Sequence, residues 1–266
     1  MTPPFTSEGR KKETGPGDRI TKERLDKLLV TRGLAGARQE AQALIMAGKV
    51  IVDGRKIDKA GTTIPVDAGI QVTGGRRKYV SRGGLKLEAA LDAFDVTVTG
   101  RSAVDVGAST GGFTDCLLQR GAQRICCIDV GYGQLAEKLR RNTRVSVLDR
   151  FNARNLTEKD LPWPCNLAVV DVSFIPLKLI IPPLAAALEP GAEIIALVKP
   201  QFEVGRGKVG KGGIVRDAAA RDAAVDAIEE MAHTAGLFFT GRIESPITGA
   251  DGNVEYLIHI ATPRNS

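Results

Sequence analysis

A chain of 266 residues, 43% hydrophobic and 26% charged, can build one large α/β domain and a small one. No apolar run approaches the ~18 residues of a membrane span. The first residues also lack the charged-then-apolar order of a signal peptide, so a cytoplasmic protein without membrane attachment is expected. The net charge of +6 is uneven: residues 1–82 carry an excess of +8 and the remainder −2, which points to a polyanion-binding module in the first third.

Residues 1–20 hold Pro3, Pro4, Pro16, Gly9 and Gly17 among mixed charges, with few apolar residues, and read as a disordered basic arm. From Thr21 the pattern changes. Leu25, Leu28 and Leu29 recur at helical spacing up to Gly33, and Ala37, Ala41, Leu44 and Ile45 mark a second helix ending at Gly48. Val50–Val52 followed by Asp53-Gly54 predicts a hairpin, and Ile64, Ile70 and Val72 suggest further short strands. Residues 21–72 thus form a small α+β unit, and 73–82 (TGGRRKYVSR) a Gly-rich basic linker. The stretch Arg24–Ile57 resembles an S4-type RNA-binding domain. That resemblance implies that Arg24, Lys27, Arg32, Arg38 and Lys49 face RNA phosphates, contacts that hold and orient RNA without reading its sequence. As single residues they also fit ordinary solvated helix faces.

Residues 83–266 alternate apolar strands with helices. Strands are predicted at Ala103–Val106, Ile125–Ile128, Val145–Leu148, Leu167–Val170, Ile194–Val198 and Glu255–Ile260. Helices are predicted at Lys86–Phe94, Phe113–Arg120, Gly133–Arg140, Leu177–Leu188 and Ala218–Ala235. Such alternation implies a Rossmann-like, doubly wound and mostly parallel sheet. The cysteines Cys116, Cys126, Cys127 and Cys165 include no Cys-x-x-Cys pair, and His233 and His259 lie apart, so no zinc site, other metal site or disulfide framework is expected.

The loop after the first strand of this sheet, VDVGASTGGFTD from Val104 to Asp115, is the central feature. Its glycines let a ligand approach the backbone at the carboxyl edge of the sheet. It lacks both Gly-x-Gly-x-x-Gly and the Gly-Lys-Ser/Thr ending of a P-loop, which lowers the dinucleotide and NTPase readings. Candidate ligand contacts here are Asp105, Gly107, Ser109, Gly111, Gly112 and Phe113. Asp129, with Val130 beside it, ends the second strand, where a carboxylate can accept ribose hydroxyls of a nucleoside. Asp149 and Asn152 follow the third strand, where a base would lie. Asp171 and Lys199 each follow a buried strand, Lys86 opens the helix before the loop, and Glu255 begins the last strand.

These last four residues resemble the Lys-Asp-Lys-Glu tetrad of FtsJ-like ribose 2′-O-methyltransferases: Lys86 in SRGGLKLEAAL, Asp171 in VVDVSF, Lys199 in LVKPQFE and Glu255 in GNVEYL. With the S4-like module in front, the chain from Thr21 onward resembles the TlyA family, whose members methylate cytidine 2′-hydroxyls of ribosomal RNA. The resemblance implies S-adenosyl-L-methionine as cofactor and ribosomal RNA or ribosomal subunits as partners. It also implies Lys199 as general base oriented by Asp171, Lys86 as a neighbouring cation that favours its deprotonation, and Glu255 positioning Lys86 or the ribose. The target cytidine would leave its helix to reach the site. Linker residues Arg76–Arg82 could couple the two domains or merely tether them, and the loop 205–213 (GRGKVGKGG) could close over RNA or simply be mobile. Rival readings are a pseudouridine synthase, a nicotinamide-dependent oxidoreductase, a non-catalytic ribosome assembly factor and a haemolysin. The glycine loop opposes the first, the basic module the second, and the lack of a spanning or strongly amphipathic apolar helix the last.

Overall fold

In the computed structural model the described residues are 21–73, 78–205, 209–210, 212–249 and 252–264. The predicted arm at 1–20, the centre of the linker, and parts of the loop 205–213 lie outside them. The chain divides into two compact units between Arg77 and Lys78.

In the first unit, β1 (Lys22–Arg24) leads into α1 (Leu25–Thr31) and α2 (Arg38–Met46), then β2 (Val50–Val52), β3 (Arg55–Ile57), β4 (Thr63–Pro65) and β5 (Ile70–Val72). The β2–β3 hairpin turns at Asp53 and Gly54, whose φ values of 47° and 78° are the paired left-handed conformations of a tight two-residue turn. Strand β5 completes an antiparallel sheet of order β3-β2-β5, and β1 pairs with β4. Leu25, Leu28, Leu29, Ala41, Ile45, Val50 and Val52 form the core. Ala37 does not join them: it sits exposed just ahead of α2.

The second unit begins with α3 (Gly83–Ala93). After it come β6 (Ser102–Val106), α4 (Gly112–Gln119), β7 (Arg124–Asp129), α5 (Glu137–Arg140), β8 (Val145–Asp149) and β9 (Leu167–Val170). It ends with α6 (Ile181–Ala187), β10 (Glu193–Val198), α7 (Pro200–Glu203), α8 (Ala218–Thr234), β11 (Phe238–Glu244) and β12 (Tyr256–Ala261). The seven strands are ordered β11-β12-β10-β9-β6-β7-β8, with β12 alone antiparallel to its neighbours. Both faces are covered, so the strands are near-continuous apolar runs. Alternate residues go to opposite layers. Ala103, Ile125, Cys127, Val169 and Leu197 pack with Leu87, Leu91 and Leu117 of α3 and α4. Val104, Cys126, Ala168 and Ala196 pack with Leu184 of α6 and Val225 and Ile228 of α8. All four cysteines are free and buried.

Several elements differ from the sequence expectation. Helix α5 has only its last turn, because residues 131–136 take an irregular path past Gly133 at φ 67°. The predicted helix 177–188 splits into a 3₁₀ turn at Leu177–Leu179 and α6, since Pro182 and Pro183 supply no backbone donors. Strand β11 was not expected. It is an edge strand with alternating exposure, broken by a bulge between Phe239 and Gly241. Of the predicted linker, Lys78–Arg82 belongs structurally to the second unit: Tyr79 is buried and the Val80 amide donates to Asp115 of α4 at 2.8 Å.

Candidate active site

Strand order places the site. From β6 the chain winds outward through β7 to β8, then returns to β9 on the other side of β6. The crevice of such a sheet opens where the order reverses, at the carboxyl ends of β6 and β9. Gly107 and Asp171 lie there, joined by the Asp171 amide donating to the Val106 carbonyl at 2.9 Å. Gly107 has φ 83°, and a Cβ on it would lie 2.4 Å from the Asp171 carbonyl oxygen, so only glycine fits. Because β12 runs antiparallel to β10, with Tyr256 opposite Val198, Glu255 and Lys199 emerge at the same edge.

A cavity of about 420 Å³ contains all four predicted catalytic residues, with Ser81, Arg82, Gly112, Phe113, Ser173, Phe174, Gln201 and Phe202 among its other walls. Lys86 projects from α3 and forms a buried ion pair with Glu255. The Lys199 Nζ meets Asp171 Oδ1 at 2.7 Å as an ion pair and donates a hydrogen bond to Ser173 Oγ at 2.8 Å. The four residues are therefore two lysine–carboxylate pairs, with Ser173 as an extra partner that sequence reasoning missed. A short polar residue two positions after Asp171 was the only available signal.

A second cavity of about 610 Å³ adjoins the first and shares Gly107, Ser109, Asp171, Ser173 and Phe174 with it. Its other walls include Asp129, Val130, Asn152, Ile128, Phe151 and Ile180, a mixed polar and apolar lining. The Asp129 carboxylate accepts the Ser109 amide at 2.8 Å and the Gly131 amide at 2.7 Å. Asn152 accepts from the Arg154 amide at 3.1 Å. Phe174 has φ 63° and is 90% exposed. A left-handed backbone at a bulky residue is strained, and here it holds the ring against Phe202 with centroids 4.8 Å apart.

Some expected contacts stand back from the cavities. Asp105 is fully buried in β6 and accepts from Thr114 Oγ1 at 2.6 Å; burial first, then the nearby Asp171 and Asp129, pushes its carboxyl up to about 7. Gly111, at φ 93°, is packed against Leu135 and Leu139 and shapes the loop from behind. Asp149 lines neither cavity: Arg140 binds it at 2.9 Å and holds its carboxyl below the usual range. Ser109 lines both cavities, and Gly112 and Phe113 line the first alone.

In the first unit, Arg24 and Arg38 both bind Asp26 at 2.9 Å, and Arg32 donates to the carbonyls of Val66 and Ala68. Lys27 of α1 lies 3.6 Å from Glu23 of β1, and Lys49 is exposed. Asp26 itself gave no sequence signal beyond being a charge within an apolar helix stripe.

Residues 79–262 match the FtsJ-like methyltransferase family and residues 23–70 the S4 domain. The chain is 49% identical to YqxC of Bacillus subtilis over 91% of its own length and 86% of that protein. It is 47% identical to the 16S/23S rRNA (cytidine-2′-O)-methyltransferase TlyA of Mycobacterium tuberculosis over 90% of each chain. A solved structure from Streptococcus thermophilus, described as a candidate hemolysin, is 41% identical and superposes with a TM-score of 0.71, covering 93% of this chain and 92% of that one. The chain belongs to the FtsJ-like methyltransferase family, in the group of TlyA proteins that carry an S4 domain at the amino end.

Proposed function

We propose that the protein methylates the 2′-hydroxyl of a cytidine ribose in ribosomal RNA, using S-adenosyl-L-methionine. The observation that carries the reading is that Lys86, Asp171, Lys199 and Glu255 share one cavity, which opens onto a second one at Gly107 and Asp171. The second cavity suits a nucleoside cofactor. Gly107 leaves room that a Cβ would fill, the Asp129 carboxylate sits where ribose hydroxyls would be accepted, and Ile128, Phe151 and Ile180 offer an apolar surface for a base.

When bound, the cofactor supplies a methyl group already activated on a sulfonium, so the chain's own residues need only align the acceptor and take its proton. Lys199 would accept the proton that the 2′-hydroxyl gives up as its oxygen is methylated. Asp171 and Ser173 hold the Lys199 Nζ in place, and Asp171 stabilises the ammonium that results. Glu255 fixes Lys86, whose ammonium faces the oxygen as negative charge develops on it. Phe174 and Phe202 present an apolar wall to the incoming nucleotide. The residues 21–72 anchor neighbouring RNA through phosphate contacts. Among the described residues no helix is long and apolar enough to cross a membrane. Action on ribosomal RNA supports a cytoplasmic location.

The test is transfer of labelled methyl groups to separated ribosomal subunits, followed by nuclease mapping. Label recovered as 2′-O-methylcytidine is expected. Label on a base, or none despite cofactor binding, would overturn the reading.

A further inference from the structure

We propose that Asp26 is a positioning residue for RNA: it holds Arg24 and Arg38 together as a two-guanidinium grip for a single phosphate. The inference rests on the reading of the first unit as an RNA-binding module and adds a residue that is neither basic nor exposed.

Asp26 is fully buried, yet its carboxylate receives four donors. Arg24 binds both oxygens, through Nε at 3.0 Å and Nη2 at 2.9 Å. Arg38 Nε and Gln42 Nε2 reach Oδ2 at 2.9 and 3.0 Å. The two arginines thus share one oxygen, although they come from β1 and α2. Both side chains stay about half exposed. Among the described residues, Arg24 Nη1 and both terminal nitrogens of Arg38 have no protein partner. A guanidinium offers five N–H donors in a planar fork, so one edge can bind the carboxylate while the other faces a phosphate.

A carboxylate in this place is poorly explained by stability. An apolar residue would extend the core stripe of Leu25, Leu28 and Leu29, and replacing a buried ion with a well-packed apolar side chain is often neutral or stabilising. Nor does it add attraction for RNA, since it subtracts one positive charge from the module. What it does is offset the repulsion between two like charges and remove most of their rotamer freedom before RNA arrives. The Arg24 contact is also the main reason the Asp26 carboxyl is held far below the usual carboxylate range.

This account gives an expectation opposite in sign to simple electrostatics. Asp26→Asn makes the module more basic, which alone would tighten RNA binding. If Asp26 organises the grip, D26N weakens it by about tenfold at physiological salt. It also lowers the steepness of the log affinity–log salt plot by up to one phosphate equivalent, roughly 0.7–0.9. The probe is protein-free ribosomal RNA with the full chain, measured by filter binding across a salt series. The same substitution is made in an Arg24→Gln/Arg38→Gln background, and thermal melts follow each variant. The expected result is weakening in the parent and none in the Arg24→Gln/Arg38→Gln background. Unchanged or tighter binding by D26N would overturn the proposal, as would equal weakening in both backgrounds, which would mean general damage to the fold. Failure of the parent chain to bind RNA at any salt would instead sink the RNA-binding reading itself.

Discussion

The buried Lys86–Glu255 pair makes the sharpest energetic prediction. Lys86 is 8% and Glu255 2% exposed, so either one left alone is an uncompensated charge in a place water barely reaches. Breaking such a pair from one side costs about 3–5 kcal/mol. For a domain the size of the second unit, about 2–4 °C of melting temperature accompanies each kcal/mol, so Glu255→Leu and Lys86→Met should each melt about 6–20 °C below the parent. Replacing both partners, as Lys86→Met/Glu255→Leu, removes both buried charges and should recover most of that loss. Calorimetric melts of the four proteins give the coupling between the two sites. The recovered double variant should still fail to transfer methyl groups, which would separate folding from chemistry. If the double variant melts no higher than the worse single, the pair's energy does not come from uncompensated charge and the reasoning fails.

Other consequences follow from the same geometry. Gly107→Ala should weaken S-adenosylmethionine binding at least tenfold by calorimetry, since its Cβ would lie 2.4 Å from the Asp171 carbonyl oxygen at φ 83°; an unchanged Kd would contradict the cavity assignment. Ser173→Ala should lower the single-turnover rate about tenfold, the worth of one hydrogen bond to a charged group, and a fall in cofactor affinity alone would show that Ser173 serves the wrong cavity. Glu203 accepts the Leu177 amide at 2.9 Å, and burial pushes its carboxyl up from 4.5 to about 7. The folded state therefore holds a proton that the unfolded chain gives up, and this stabilising contribution is lost as pH rises from 4.5 through 7. Glu203→Gln keeps the acceptor without the ionisation, so its melting temperature relative to the parent should climb between pH 5 and pH 8; a constant difference would refute this.

Much of the second unit was legible because buried parallel strands read as apolar runs and each ends in a residue of chemical interest: Gly107 after β6, Asp129 at the end of β7, Asp171 after β9, Lys199 after β10. Strand β11 was hidden because an edge strand alternates in exposure and Thr240-Gly241 interrupts its pattern. The short α5 was misjudged because the chain spends residues 131–136 contacting Asp129 and the Thr110 carbonyl instead of continuing a helix. Site details depend on pairings between distant positions. Nothing local shows that Lys86 meets Glu255 while Lys199 meets Asp171, that Arg140 occupies Asp149, or that Asp26 gathers two arginines from separate elements.

The most direct test of the central claim is single-turnover methyl transfer by Lys199→Met, with ribosomal RNA and labelled S-adenosylmethionine both saturating and cofactor affinity measured alongside. Loss of a general base predicts a rate about 10²–10⁴-fold below the parent with the cofactor Kd unchanged. A parent-like rate would show that Lys199 does not take the ribose proton, and the assignment of the site's chemistry would fall with it.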